Sequence, residues 1–167
     1  MTQVLLLAAM LANGGPPDTF DIQAELQGLY DEISQATLQF MTTTDIDQFH
    51  DVIYTPDWVF IDAAGHKKTW AEMRQEVVQG MLAPKPESMT QPIKTLAVDH
   101  GVATAVVNLV TVRVIIDHEG RYGRPDGTHT LTDTTRFRDK WVKVSDEWKL
   151  KSREQIGPPS QLVDKPY

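Results

Sequence analysis

The segment from Thr128 to Ile156 constrains the fold more than any other part of the chain, because it reads as a long β-hairpin. Polar and apolar residues alternate along both halves, which are separated by the short turn Ser145-Asp146-Glu147. A period of two places alternate side chains on opposite faces of a strand, so one face is expected to be buried and the other hydrated. The alternation in the second half predicts this inner set: Trp148, Leu150, Ser152, Glu154 and Ile156.

Two carboxylates in this hairpin share a face with large apolar side chains. Asp133 falls on the face that carries Phe137 and Trp141, and Glu154 falls on the face of Trp148. An acidic group held among apolar neighbours has a perturbed pKa, which is a property of many functional sites. A glutamate in this position is more often the salt-bridge partner of an arginine across the hairpin than a catalyst.

Composition limits the class of protein. A chain of 167 residues, with 41% hydrophobic and 23% charged residues, suits one globular domain. The net charge of −7 disfavours a nucleic-acid partner, because phosphate binding needs a basic face. The chain has no cysteine, which excludes disulfides and thiolate chemistry and leaves the redox compartment open.

Residues 1–17 are set apart from the rest. The apolar run from Val4 to Ala12 precedes a Gly-Pro break, as in a secretory signal peptide, but no basic residue comes before it. A signal peptide and a packed N-terminal extension are both compatible with this pattern, so an exported or periplasmic and a cytoplasmic location both stay open. The run is too short to span a bilayer. We predict one domain over residues 18–157 and an irregular tail over residues 158–167.

Helical and strand patterns alternate in an order that indicates an α+β domain. Apolar spacing predicts a long helix that Asp18 caps, a second helix that Asp45 caps and Pro56 ends, and a third over Thr69–Gly80. Strands are predicted over Trp58–Asp62, Ile93–Val98 and Val102–Ile116, followed by the hairpin. About three helices should then cover the concave face of a curved, mostly antiparallel sheet. Since Val102–Ile116 is apolar on both faces, its other face is expected to meet a second sheet or a partner subunit, and we predict a homodimer.

This order resembles the cone-shaped fold shared by nuclear transport factor 2 (NTF2), ketosteroid isomerase, scytalone dehydratase and the SnoaL-like polyketide cyclases. The amino-acid sequence is most similar to those of small bacterial SnoaL-like and DUF4440 proteins. Three stretches carry the resemblance: Thr44 to Asp47 with Tyr54 and Pro56 to Asp62; Thr69 to Met73; and the closing strands with Trp141-Val142-Lys143-Val144 and Glu147-Trp148-Lys149-Leu150. Together they cover roughly residues 22–156.

The resemblance to ketosteroid isomerase implies two catalytic carboxyls. Asp62 matches the general base at the end of the first strand. Asp133 matches the aspartate that stays protonated and donates a hydrogen bond to an oxyanion; ketosteroid isomerase is a known example of a carboxyl pKa raised in this way. The helical tyrosine donor of the enzyme does not carry over, because Thr37 stands in its place and Tyr30 lies two turns earlier. An aspartate before a glycine-containing turn also commonly caps that turn.

The expected function is binding of a small, largely apolar molecule in the cone, with isomerase, dehydratase or cyclase-type general acid/base catalysis. The alternative is a non-catalytic ligand-binding or association domain. Besides the two aspartates, these residues are predicted to contact the ligand: Tyr30, Tyr54, Trp58, His129 and Glu154. No two histidines have metal-ligand spacing and no nucleotide-binding motif occurs in the sequence, so neither a metal nor a cofactor is expected.

Overall fold

A computed structural model of the protein describes residues 19–39, 42–81, 85–117, 120 and 127–164. The N-terminal apolar run therefore lies outside the described residues. Within them, three helices and eight strands follow one another in the chain: α1 (Thr19–Gln39), α2 (Thr43–Ile53), β1 (Tyr54–Ile61), β2 (Lys67–Thr69), α3 (Trp70–Met81), β3 (Ser88–Thr90), β4 (Ile93–Asp99), β5 (Val102–Asp117), β6 (Gly127–Val144), β7 (Glu147–Gln155) and β8 (Ser160–Val163). None of these helices is long and apolar enough to cross a membrane.

The strands form one curved, mixed sheet in the order β2-β1-β7-β6-β5-β3, with β4 also paired to β5 and β8 to β6. Every described pairing is antiparallel except that of β1 with β7, which is parallel. The long strands β5 and β6 each take different neighbours along their length, since β5 pairs with β3 and β4, and β6 pairs with β7 and β8. The predicted α+β architecture of three helices on a mostly antiparallel sheet is confirmed.

Helix α2 begins with a reciprocal capping box. The Thr42 hydroxyl accepts a hydrogen bond from the Asp45 backbone N–H, and the Asp45 carboxylate accepts one from the Thr42 N–H. Two backbone donors that lack intrahelical partners are thereby satisfied. The prediction that Asp45 itself is the cap is wrong by one turn, since Asp45 is the third residue of the helix.

The core lies between α1 and the concave face of the sheet. Apolar residues of α1 recur every three or four positions and are buried: Ile22, Leu26, Tyr30 and Ile33. They belong to one cluster with the inner residues of β5, β6 and β7, among them Val107, Phe137, Trp141 and Leu150. Ala103 is the cross-strand neighbour of Trp141, so a small side chain stands beside the fully buried indole.

Three short strands were not predicted from the sequence. β2 and β3 have only three residues each, too few for an alternating pattern to appear. The predicted irregular tail is wrong at Ser160–Val163, which pairs with the N-terminal half of β6 as β8.

The convex face of the sheet carries apolar and threonine side chains. Val112 and Thr132 are cross-strand partners on β5 and β6, and Leu162 of β8 continues the row. Further along β5, Val114 and Ile116 are 53% and 67% exposed. Isolated exposed apolar residues are ordinary, but a contiguous set on one sheet face marks an interaction surface.

Candidate functional site

A bidentate ion pair lies inside the hydrophobic core. Arg153 donates from Nε to Asp139 Oδ1 at 2.9 Å and from Nη2 to Asp139 Oδ2 at 2.7 Å. The Asp139 side chain is fully buried, and that of Arg153 is 13% exposed. Taking two charges out of water costs several kcal/mol per ion, roughly, unless geometry and hydrogen bonds compensate. Such a pair in a domain of this size is a candidate functional feature.

Hydrogen bonds extend this pair into a network across the core. The Tyr30 hydroxyl donates to Asp139 Oδ2 at 2.8 Å and accepts from the Trp141 indole N–H at 2.8 Å. On the other side, Gln91 Oε1 accepts from Arg153 Nη2 at 2.8 Å. Gln91 in turn donates to the Ser34 hydroxyl at 3.2 Å. Asp139 and Gln91 thus hold the guanidinium directly, and two residues of α1, Tyr30 and Ser34, hold Asp139 and Gln91 in turn.

One nitrogen of Arg153 remains available. A guanidinium has five N–H donors, of which Nε has one and each Nη has two. The Nε donor and both Nη2 donors are engaged, whereas Nη1 makes no hydrogen bond to any described residue. The guanidinium carbon lies 4.7 Å from the centre of the Phe137 ring, a cation–π contact. Arg153 therefore presents a fixed, incompletely used donor edge beside an aromatic ring.

A β-bulge brings Arg153 to this face. Trp141 pairs with Leu150, but the preceding residue, Lys140, pairs with Ser152, so Lys151 is an extra residue in β7. One extra residue reverses the alternation beyond it. As a result Arg153 lies on the inner face opposite Asp139.

Aromatic side chains lie next to Arg153 and form what we call the aromatic wall, made of Phe60 and Phe137 together with His50, Tyr54, Trp58 and Trp70. Phe60 is the β1 neighbour of Arg153 and contacts Phe137 edge to face, with ring centres 6.3 Å apart. Further along β1, the Tyr54 ring contacts Trp58 edge to face at 5.0 Å. These two residues join a larger aromatic group with His50 of α2 and Trp70 of α3, in which the His50 and Trp70 rings stack at 4.2 Å. The aromatic wall is mostly apolar, but some of its rings carry polar atoms: the ring nitrogens of His50, Trp58 and Trp70 and the hydroxyl of Tyr54.

Two of these polar atoms are buried and make no hydrogen bond to the described residues. They are His50 Nε2 and Trp58 Nε1. The other ring nitrogen of His50, Nδ1, lies 3.3 Å from Asp51 Oδ1. Buried polar atoms are nearly always satisfied, and an unpaired one often marks a place completed by water or a ligand. The aromatic wall therefore has unused hydrogen-bonding capacity.

Burial sets the protonation states of the network. Desolvation raises the pKa of Tyr30, and the charge of Asp139 raises it further. Desolvation also raises the pKa of Tyr54, while the charge of Arg153 acts in the opposite direction. For Arg153, desolvation lowers the pKa, but Asp139 outweighs this effect and the net shift is upward. At neutral pH both phenols are thus protonated donors, and Arg153 is charged.

A cleft of about 280 Å³ opens where α2 meets β1 and the tip of the β6–β7 hairpin. His50, Tyr54 and Lys149 are among the residues that line it. Tyr54 also lies close enough to Arg153 and Asp139 for both charges to act on its phenol. The cleft and the surroundings of Arg153 therefore share Tyr54.

Asp62 lies in a turn after β1. Its Oδ1 accepts hydrogen bonds from the backbone N–H groups of Ala64 and His66, and its Oδ2 lies 3.0 Å from His66 Nδ1. The backbone bond from His66 is the largest of the effects that lower the pKa of Asp62. A carboxylate with a lowered pKa is a weak general base at neutral pH.

Asp133 shares the inner face of β6 with Phe137, as predicted, but it lies toward the opposite end of the strand from Asp139. Its Oδ1 accepts a hydrogen bond from Gln161 of β8 at 2.8 Å. Strand β7 separates β6 from β1, and Asp133 shares no hydrogen-bond partner with Asp62 among the described residues. This arrangement does not support a joint acid/base site, and the catalytic roles of the two aspartates stay a prediction.

The predicted ligand-contacting residues fall into three groups. Tyr30, Tyr54 and Trp58 belong to the network or its aromatic wall. His129 is buried at the start of β6, with Nδ1 3.1 Å from Asp164 Oδ1, at the other end of that strand. Glu154 lies on the outer face beyond the bulge, so its predicted inner position is wrong. It accepts a hydrogen bond from Arg138 at 2.8 Å, so the predicted pairing with an arginine across the hairpin is confirmed.

Sequence reasoning missed the two central residues. Asp139 lies between Phe137 and Trp141 in the same alternating pattern that selected Asp133, so the pattern could have found it. An unbroken period of two from Trp148 to Ile156 places Arg153 on the hydrated face, and the extra residue Lys151 makes that placement wrong. The residues around Lys151 contain no glycine or proline that would signal a bulge.

Comparisons with known proteins agree with this architecture. No family model matches the sequence, and no curated protein matches it significantly. Among solved structures, an NTF2-like protein from Cytophaga hutchinsonii superposes with a TM-score of 0.54 at 15% identity, covering 85% of this chain and all (100%) of that one. A candidate aromatic ring hydroxylase from Novosphingobium aromaticivorans superposes at 0.57 with 18% identity, covering 87% of this chain and 96% of that one.

An NTF2-like protein of unknown function from Shewanella oneidensis gives a TM-score of 0.52 at 17% identity, covering 83% of this chain and 98% of that one. At these identities the similarity concerns the fold. The narrower resemblance to SnoaL-like and DUF4440 proteins stays a prediction. The helices on a curved sheet, and the solved structures that superpose on them, show that this chain has the NTF2-like fold.

Proposed function

We propose that the concave side of the sheet binds a small, largely apolar molecule, with Arg153 holding the polar group of that molecule. The observation that carries this proposal is the guanidinium itself. It lies in the apolar core, is fixed by Asp139 and Gln91, and leaves Nη1 without a partner among the described residues. A preorganised donor beside apolar walls is the usual composition of a small-molecule site.

The aromatic wall supports an apolar ligand. Phe60, Tyr54 and Trp70 are partly buried and pack against the core, so they can give up their remaining exposed surface to a ligand. Each further square ångström of apolar area removed from water contributes about 25 cal/mol. The Tyr54 phenol and the unpaired Trp58 indole N–H add donors near the rings.

The proposal is one of binding, and a reaction is not assigned. General acid/base catalysis of the isomerase, dehydratase or cyclase type needs an acid and a base within reach of one substrate. Asp62 and Asp133 have separate partners, and Asp139 is already paired with Arg153. This observation favours the alternative of non-catalytic ligand binding.

Binding can be tested with prodan, a fluorescent naphthyl ketone whose emission shifts in apolar surroundings. We expect saturable binding to the wild type and a dissociation constant about tenfold higher for Arg153→Lys, which keeps the charge but loses the planar fork. The matched control is Arg138→Met, on the outer face of the same hairpin, which should bind as the wild type does. Absence of saturable binding, or equal binding by Arg153→Lys, would overturn the proposal.

A second proposal concerns assembly. We propose that two copies associate through the convex face of the sheet, around the row of Val112, Thr132 and Leu162 and the exposed Val114 and Ile116. The same surface patch on both copies is the usual arrangement in a two-fold dimer. The observation behind this proposal is that three exposed apolar side chains, Val114, Ile116 and Leu162, lie on one face of the sheet.

A further inference from the structure

The buried network around Arg153 is electrically neutral. Asp139 carries one negative charge and Arg153 one positive charge, and they meet through two short hydrogen bonds. The other groups bonded to them are Gln91, a neutral amide, and Tyr30, a protonated phenol. Among the described residues, Asp139 is the one charged group in hydrogen-bond contact with Arg153.

This balance decides what Nη1 can accept. The positive charge of Arg153 is already compensated, so a carboxylate brought to Nη1 would leave one net negative charge beside a guanidinium that is 13% exposed and packs on the Phe137 ring. Burying an uncompensated charge is far more costly than burying a hydrogen-bonded neutral group. A neutral oxygen acceptor would satisfy the Nη1 donors without changing the charge of the site.

We infer that the ligand presents a neutral oxygen acceptor, such as a ketone or ester carbonyl, to Arg153, and that the site discriminates against carboxylates. This inference rests on the proposed binding function. It concerns selectivity and follows from the pairing of Arg153 with Asp139. An arginine in a pocket commonly indicates an anionic ligand; here the internal carboxylate reverses that expectation.

Two nearly isosteric substitutions change the charge of the site by one unit in opposite directions. Asp139→Asn removes the internal counter-charge and leaves the site with a net positive charge. Gln91→Glu adds a negative charge next to Nη2, at a position where the amide oxygen now lies 2.8 Å away. If charge balance sets selectivity, the two variants must shift it in opposite directions.

The experiment measures displacement of bound prodan by two probes of similar shape, 2-acetylnaphthalene and 2-naphthoate. At neutral pH the first is neutral and the second is ionised. For the wild type we expect the ketone to bind about tenfold or more tightly than the carboxylate. In Asp139→Asn the order should reverse, and in Gln91→Glu the preference for the ketone should increase. Circular dichroism identifies the folded variants, and Gln91→Glu decides the question if Asp139→Asn does not fold.

The outcomes separate this inference from the function on which it rests. Equal or tighter binding of 2-naphthoate by the wild type, with prodan still bound, would overturn the inference and leave the binding function standing. Unchanged selectivity in a folded charge variant would also overturn it. If prodan does not bind at all, both the proposed binding function and the inferred selectivity are rejected.

Discussion

Arg153 and Asp139 are cross-strand partners on β7 and β6, and both carboxylate oxygens accept hydrogen bonds from the guanidinium inside the core. The neighbouring pair on the same strands, Arg138 and Glu154, makes a similar contact on the outer face. One hairpin thus carries a buried and an exposed version of the same interaction. The buried pair is bidentate and has further hydrogen-bond partners, whereas one hydrogen bond joins the two residues of the exposed pair, so the two pairs are expected to contribute very differently to the free energy of unfolding.

We expect Arg153→Met to lower the free energy of unfolding by about 3–5 kcal/mol, because the substitution leaves Asp139 buried without a counter-charge. The double variant Arg153→Met with Asp139→Leu should recover most of this loss. Arg138→Met, the exposed control, should cost less than about 1 kcal/mol. Urea denaturation of the three variants measures these differences. Similar losses for Arg153→Met and Arg138→Met would show that the buried pair has no special weight.

The buried Tyr30 makes the stability of the protein fall at alkaline pH. Desolvation raises the pKa of Tyr30 in the folded protein above the ordinary value near 10.0, so the unfolded chain loses its phenol proton first. The stabilisation is complete below pH 10, roughly, and decreases as the pH rises further. Tyr30→Phe should therefore be less stable than the wild type at pH 8, because it loses the hydrogen bond to Asp139, and its stability should decline less steeply above about pH 10. Parallel declines in urea-denaturation series would contradict the burial of an ionisable group at this position.

The capping box of α2 gives a local prediction. Thr42→Ala removes the side-chain oxygen that accepts from the Asp45 N–H at 3.2 Å, and we expect a loss of about 0.5–2 kcal/mol in thermal or chemical unfolding. The control is Thr43→Ala, one residue along and likewise exposed, which should change stability by less than about 0.5 kcal/mol. Equal effects would show that the cap does not stabilise the helix.

Assembly through the convex face predicts a dimer in sedimentation at micromolar protein concentration. The double variant Val114→Lys with Ile116→Lys places two charges on the proposed interface and should sediment as a folded monomer. Val144→Lys is the control, because Val144 is also exposed but lies at the hairpin tip. A wild-type monomer, or a dimer that tolerates both lysines, would exclude this interface.

The sequence predicts the fold well where periodic patterns are long. The apolar spacing of α1 and the alternation along β6 each extend over many residues, so the prediction could tolerate local irregularity. The resemblance of the closing strands to NTF2-like proteins likewise identified the fold that the solved structures share.

The candidate site was predicted only in part. Tyr30, Tyr54 and Trp58 belong to the core or pack against it. They could be predicted because the periodicity of a helix or strand shows which large aromatic residues face inward. Arg153 could not be found in this way. The extra residue Lys151 moves the later side chains of β7 to the opposite face of the sheet, and no residue type near it indicates a bulge. A buried ion pair between two strands depends on which residues lie opposite each other. At a bulge, tertiary packing decides that register.

The central claim is that Arg153 anchors a ligand on the concave face, and a crystal structure of the protein with bound 2-acetylnaphthalene tests it most directly. We predict the naphthyl ring against the aromatic wall and the ketone oxygen about 3 Å from Arg153 Nη1. The Asp139 hydrogen bonds to Nε and Nη2 should be retained. A ligand bound elsewhere, or a ketone oxygen that makes no contact with Nη1, would contradict the claim.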